Sequence, residues 1–126
     1  MRRLAAIDIG TNTILLLVAD FGEDGRIIPL RDLERTTRLG HGLAKTGRLH
    51  PEPLVKSLQV IDTYLTICRD MGVDQTLMVG TSPLREAENA DDLLHSVHRR
   101  YGLKIQTISK RLTRKYLLQR EKALNS

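Results

Sequence analysis

The sequence predicts an α/β fold, a mixed sheet whose elements run βββαβαβ and end in a helical tail. Three patterns point there. Apolar runs of strand length, separated by turn residues, fill the first 38 positions; from Pro51 the apolar spacing changes to every third or fourth residue; and a short apolar strand then leads through a polar turn into a helix. Strand, polar turn and helix in succession are the mark of a parallel crossover, so the later strands extend an antiparallel start into a mixed sheet.

Residues 3–9 and 13–20 read as two strands around Gly10-Thr11-Asn12-Thr13, and the turn Gly22-Glu-Asp-Gly25 leads into a third over residues 26–38. Pro29 within that third run suits an edge or a bulge, because proline cannot donate to a central ladder. A loop with Gly40, Gly42 and Gly47 ends at Pro51, and Leu54, Val55, Leu58, Ile61, Leu65, Cys68 and Met71 then mark an amphipathic helix ending near Gly72. Residues 75–80 form a short strand, followed by Thr81-Ser82-Pro83 and a second helical pattern. Asn89 with Asp91 and Asp92 behind it reads as a cap with acids in the first turn, opening a helix to Gly102. Alternation over residues 103–109 adds a last strand.

The 126 residues suffice for one domain with its own core. The longest apolar run, residues 14–19, falls far below the roughly 20 residues of a membrane helix, and Met-Arg-Arg-Leu lacks the pattern of a secretory signal, so the expected location is the cytoplasm without membrane attachment. Cys68 is the single cysteine, which excludes an internal disulfide and places it in the helix core. The net charge of +5 is local: residues 1–109 hold 14 Lys or Arg against 14 Asp or Glu, whereas Lys110, Arg111, Arg114, Lys115, Arg120 and Lys122 face only Glu121. With Phe21, Tyr64, Tyr101 and Tyr116 scattered, there is no stacking platform, which argues against nucleic acid as a partner.

Two segments carry chemistry. Asp8 lies between Ile7 and Ile9, where a carboxylate is costly unless it meets a metal, a donor or a substrate. Gly10 permits a tight turn or a close ligand, and Thr11, Asn12 and Thr13 offer donors to phosphate oxygens; the plain alternative is an ordinary turn between core strands. The second segment, residues 80–89, follows a buried strand and so lies at the carboxyl end of a parallel sheet, where open α/β sheets bind ligands. Thr81 and Ser82 are candidate phosphate donors and Arg85 a fork for phosphate; the alternative is a helix start with Arg85 paired to Glu86, Glu88 or Asp92. His41 reads as a loop residue at a cleft rim, and His50, His95 and His98 share no ligand spacing with it, so no histidine metal site is expected.

In order and spacing, Asp8-Ile-Gly-Thr-Asn-Thr13, Arg38-Leu-Gly-His-Gly-Leu43, Gly47-Arg-Leu, residues 80–89 (Gly-Thr-Ser-Pro-Leu-Arg-Glu-Ala-Glu-Asn) and Ile105-Gln-Thr-Ile-Ser109 resemble the amino-terminal domain of the exopolyphosphatase and guanosine pentaphosphate phosphohydrolase (Ppx/GppA) family. The resemblance spans residues 3–109 and implies a single lobe of the ribonuclease H-like fold of the actin and sugar-kinase superfamily. It further implies a phosphoanhydride hydrolase that releases terminal phosphate from polyphosphate or guanosine pentaphosphate with magnesium. Asp8 then matches the family's acidic residue beside the metal and attacking water. Gly10, Thr11, Asn12 and Thr13 match its first phosphate loop, and Arg85 its substrate-holding arginine.

Beyond Ser109 the family continues with glycine and a run of glutamates, one of them the general base, but here the residues are Lys110-Arg-Leu-Thr-Arg-Lys-Tyr. A cation offers no lone pair to a water proton. The expectation is therefore a lobe at residues 1–109 with a basic helical tail at 110–126 that departs from the family, truncated relative to it and inactive alone. A missing second lobe or self-association would complete it, and a non-catalytic polyanion-binding module or an unstable fragment is the alternative.

Overall fold

Alternation along the first strands decides which face each residue serves, and the computed structural model, which describes residues 1–107, shows the consequence. Strands β1 (Arg2–Ile9), β2 (Thr13–Phe21) and β3 (Ile27–Thr36) form an antiparallel meander. A one-turn helix α1 (Leu43–Thr46) and the long helix α2 (Pro51–Asp70) lead to β4 (Gln75–Gly80), which pairs parallel with β1. Helices α3 (Ser82–Glu86) and α4 (Ala90–Tyr101) follow, and β5 (Ile105–Thr107) closes the described sheet parallel to β4. The sheet order is β3-β2-β1-β4-β5.

Ala5, Ile7 and Ile9 of β1, Ile14, Leu16 and Val18 of β2, and Met78 of β4 share one face and are buried beneath Ile61, Tyr64 and Cys68 of α2 and Leu93 and Val97 of α4. Full burial of a Leu, Ile or Val contributes about 1.5–3 kcal/mol, so this layer dominates the stability of the fold. Tyr64 is wholly buried, and its hydroxyl donates to the Ile14 carbonyl over 2.8 Å, a bond that seats α2 on β2. Burial also pushes the Tyr64 hydroxyl and the Cys68 thiol up from their ordinary pKa values.

Pro29 lies on the edge strand β3, next to a register shift opposite Val18 and Ala19, where a missing N–H disturbs nothing. β3 ends at Thr36 rather than Arg38. The N–H groups of Thr37 and Arg38 leave the ladder and donate to the Asn12 carbonyl at 2.9 and 3.0 Å, and Arg38 turns to φ 54°. The glycine-rich loop contains α1, a turn held between Gly42 and Gly47, both at positive φ.

Asn89 stands at the N-cap position of α4, but its side chain makes no cap hydrogen bond. It accepts from the Leu49 N–H at 2.7 Å and donates to the Leu49 carbonyl at 3.0 Å. The end of the last predicted strand, residues 108–109, and the helical tail at 110–126 lie outside the described residues. Among the described residues no helix is long and apolar enough to cross a membrane.

Candidate functional site

The register brings five strand ends to one edge: Ile9 pairs with Ile14 and with Gly80, Thr13 with Thr36, and Gly80 with Thr107. The carboxyl ends of the parallel strands β1, β4 and β5 therefore meet the β1–β2 turn. Asp8, one residue from the end of β1 and only 6% exposed, lies in register between Leu15 and Val79, on the face opposite the helical layer.

The turn is held from both sides. Gly10 N–H donates to the Thr13 carbonyl at 3.0 Å, and the carbonyls of Thr11 and Asn12 accept from Gly40 and from Thr37 and Arg38. With those carbonyls engaged, Thr11 and Asn12 themselves remain exposed at the edge. The approach at Gly40 is close: a Cβ there would lie 2.5 Å from Thr11 Cγ2, so a larger residue would have to turn the Thr11 side chain aside.

From the other side Thr81 N–H donates to the Ile9 carbonyl at 3.2 Å, placing the start of α3, opened by Ser82, beside the end of β1. Arg85 lies exposed on α3. Glu88, one of its candidate partners, instead meets Arg48 at 3.6 Å while its N–H donates to the Gly47 carbonyl. Thus Asp8, Gly10, Thr11, Asn12 and Thr13 at the β1–β2 turn and Thr81, Ser82 and Arg85 at the start of α3 lie at one sheet edge, joined through Ile9.

Residue patterns missed a second feature of this edge. Between β3 and α2 runs a groove: a hollow of about 400 Å³ lined by Thr36, Thr37, Arg38, His41, Glu52 and Lys56 adjoins one of about 460 Å³ that reaches Arg35 and Gln59. The signal was present in Arg38-Leu-Gly-His-Gly, but only folding brings Lys56 and Arg35 to it. His41 and His50 meet edge to face at 6.1 Å between ring centres.

Among the described residues no three His, Cys, Asp or Glu side chains cluster around a common point. A hard cation such as magnesium needs less from the protein, taking one or two carboxylates with water and substrate phosphate completing its shell. The buried carboxylate of Asp8 beside a hydroxyl-rich turn fits that donor set.

Sheet order, parallel crossovers and paired loops at one edge define a ribonuclease H-like lobe of the actin and sugar-kinase type. The comparisons with known proteins agree. The Aquifex aeolicus member of the Ppx/GppA family superposes with a TM-score of 0.82 at 31% identity, over 86% of this chain and 35% of that one. Exopolyphosphatase 1 of Mycobacterium bovis is 30% identical over 84% of this chain and 31% of its own length. Exopolyphosphatase 2 of Mycobacterium tuberculosis is 37% identical over 72% of this chain and 30% of its own. The sequence model of the Ppx/GppA phosphatase family matches residues 17–112. This chain belongs to the Ppx/GppA phosphatase family, and it spans about a third of the length of the curated relatives it matches.

Proposed function

We propose that this chain is the phosphate-binding lobe of a phosphoanhydride hydrolase, acting on the terminal phosphate of polyphosphate or of guanosine pentaphosphate in the cytoplasm. The observation that carries this reading is the meeting of the Gly10–Thr13 turn, buried Asp8 and the Thr81 loop at the carboxyl edge of the sheet. The hydroxyls of Thr11, Thr13, Thr81 and Ser82 and the Asn12 amide receive the phosphate oxygens, and the Arg85 fork balances their charge. Asp8 holds magnesium, which supplies neutralisation of charge on the phosphoryl oxygens when bound.

In-line attack by water also requires a carboxylate to accept its proton. Where the resemblance places that base, this chain has Lys110 and Arg111, so the lobe at 1–109 with the tail at 110–126 binds phosphate without turning it over. A second lobe would have to supply the base. A phosphate-release assay with long-chain polyphosphate and magnesium is expected to show no turnover; turnover abolished by Asp8→Ala would overturn this part of the reading. Tripolyphosphate is expected to bind, and Arg85→Gln to weaken that binding by about tenfold, the effect of losing one charge-assisted hydrogen bond. Unchanged affinity would remove Arg85 from the site.

The concentration of charge at residues 110–126 favours a second reading, a polyanion-binding module whose tail is the binding element. Its signature is a steep loss of affinity with salt that vanishes on deletion of those residues.

A further inference from the structure

The groove between β3 and α2 opens at the same sheet edge as the phosphate turn. The two are joined by the backbone: Asn12 of the turn accepts from Thr37 and Arg38 of the groove wall. Arg38 sits at φ 54°, a conformation uncommon outside glycine, and is held there by that contact. Its guanidinium therefore starts from a point fixed by the turn and not by the strand.

The lining chemistry is one-sided. Arg35, Arg38 and Lys56 are cationic, His41 can add a fourth donor, and Glu52 is the single carboxylate among the lining residues, four positions before Lys56 on α2. The walls between them carry Thr36, Thr37, Gln59 and Thr63, all hydrogen-bonding side chains. Thr37 is only 2% exposed, and its hydroxyl has no hydrogen-bond partner among the described residues.

Of the two rings that line the groove, Tyr64 is wholly buried and His41 is exposed, an imidazole that can donate to a phosphate oxygen. Cations spaced along an elongated polar groove suit a ligand with negative charge at every repeat.

We propose that the β3–α2 groove holds the interior phosphates of a linear polyphosphate chain, with Arg35, Arg38 and Lys56 as its contacts. This rests on the reading that the chain's terminal phosphate occupies the Gly10–Thr13 turn. It also selects between the substrates named above, because a guanosine pentaphosphate has no repeating chain to lie along the groove.

The experiment measures binding of tripolyphosphate and of long-chain polyphosphate to the full chain by titration calorimetry at several salt concentrations. Both Arg35 and Lys56 are exposed, so the double variant Arg35→Gln/Lys56→Gln keeps the core. Arg99→Gln/Arg100→Gln removes the same charge from α4 as a control.

The expected result is a loss of about tenfold or more in long-chain affinity for the groove variant, with its salt slope reduced by about two, one per cation removed. Tripolyphosphate affinity stays unchanged, and the control stays near the parent chain. Equal long-chain affinity in groove variant and parent, or equal loss in groove variant and control, overturns the proposal. So does a parent chain that binds no long polyphosphate. Groove-dependent long-chain binding without any tripolyphosphate binding supports the groove and removes the terminal-phosphate reading, which separates the two failures.

Discussion

Asn89 shows how a residue can be placed correctly by its sequence and still be misread. Asparagine before two aspartates marks a helix start, and α4 does begin there, yet the amide makes both of its hydrogen bonds to Leu49, 40 residues earlier. Local pattern reveals the cap position; nothing local reveals a partner on another segment. The amide fastens the Gly47-Arg-Leu segment to the connection between α3, which carries Arg85, and α4, joining two blocks that are separate in sequence. Net contributions of about 1 kcal/mol per bond put the cost of Asn89→Ala near 2 kcal/mol, read as a lowered urea midpoint at constant slope. Asn89→Asp keeps the acceptor and loses the donor, so its cost is expected to fall between parent and alanine. A cost of a few tenths for alanine would mean the clamp is absent in solution.

At the scale of elements, one arginine gathers three of them. Arg3 of β1 donates to Asp20 of β2 at 2.8 and 3.2 Å and to the Met71 carbonyl behind α2. The Arg3 guanidinium holds the Asp20 carboxyl below its ordinary value of 3.8. A depressed folded pKa means that the unfolded chain binds the proton more readily. The contribution of the pair is therefore fully present above about pH 4 and is lost as the pH falls through the folded value. Asp20→Asn is expected to lower stability at neutral pH, and the gap from the parent chain should close in acid below pH 4, as followed by thermal denaturation. A gap that persists unchanged there would assign the loss to packing instead of charge.

The meander, α2, β4 and α4 were legible because each has its own period and its own stop, with Gly72 and Gly102 at positive φ. The turn α1 was not, since four residues between two left-handed glycines have no period to read, and their place depends on contacts with other segments. Likewise the turn at Gly10–Thr13 could be read as a phosphate site, whereas the groove beside it depends on α2 lying against β3.

For the whole molecule the question is which charge governs a polyanion. The formal excess of +5 lies at residues 110–126, while residues 1–109 are neutral in sum and still carry the groove cations. Net charge acts at long range and is screened beyond about 8 Å at physiological salt, whereas cations converging on a bound phosphate act at contact. The two sources therefore separate with ionic strength. A chain ending at residue 109 is expected to lose long-chain polyphosphate affinity mainly at low salt. At physiological salt it should approach the full chain and retain the roughly tenfold difference between parent and Arg35→Gln/Lys56→Gln that two lost phosphate contacts imply. If deleting residues 110–126 abolishes binding at every salt concentration, the tail is the binding element and the sheet edge is not. Retention of that difference in the shortened chain would place recognition in the lobe, with the tail serving to raise the rate of encounter.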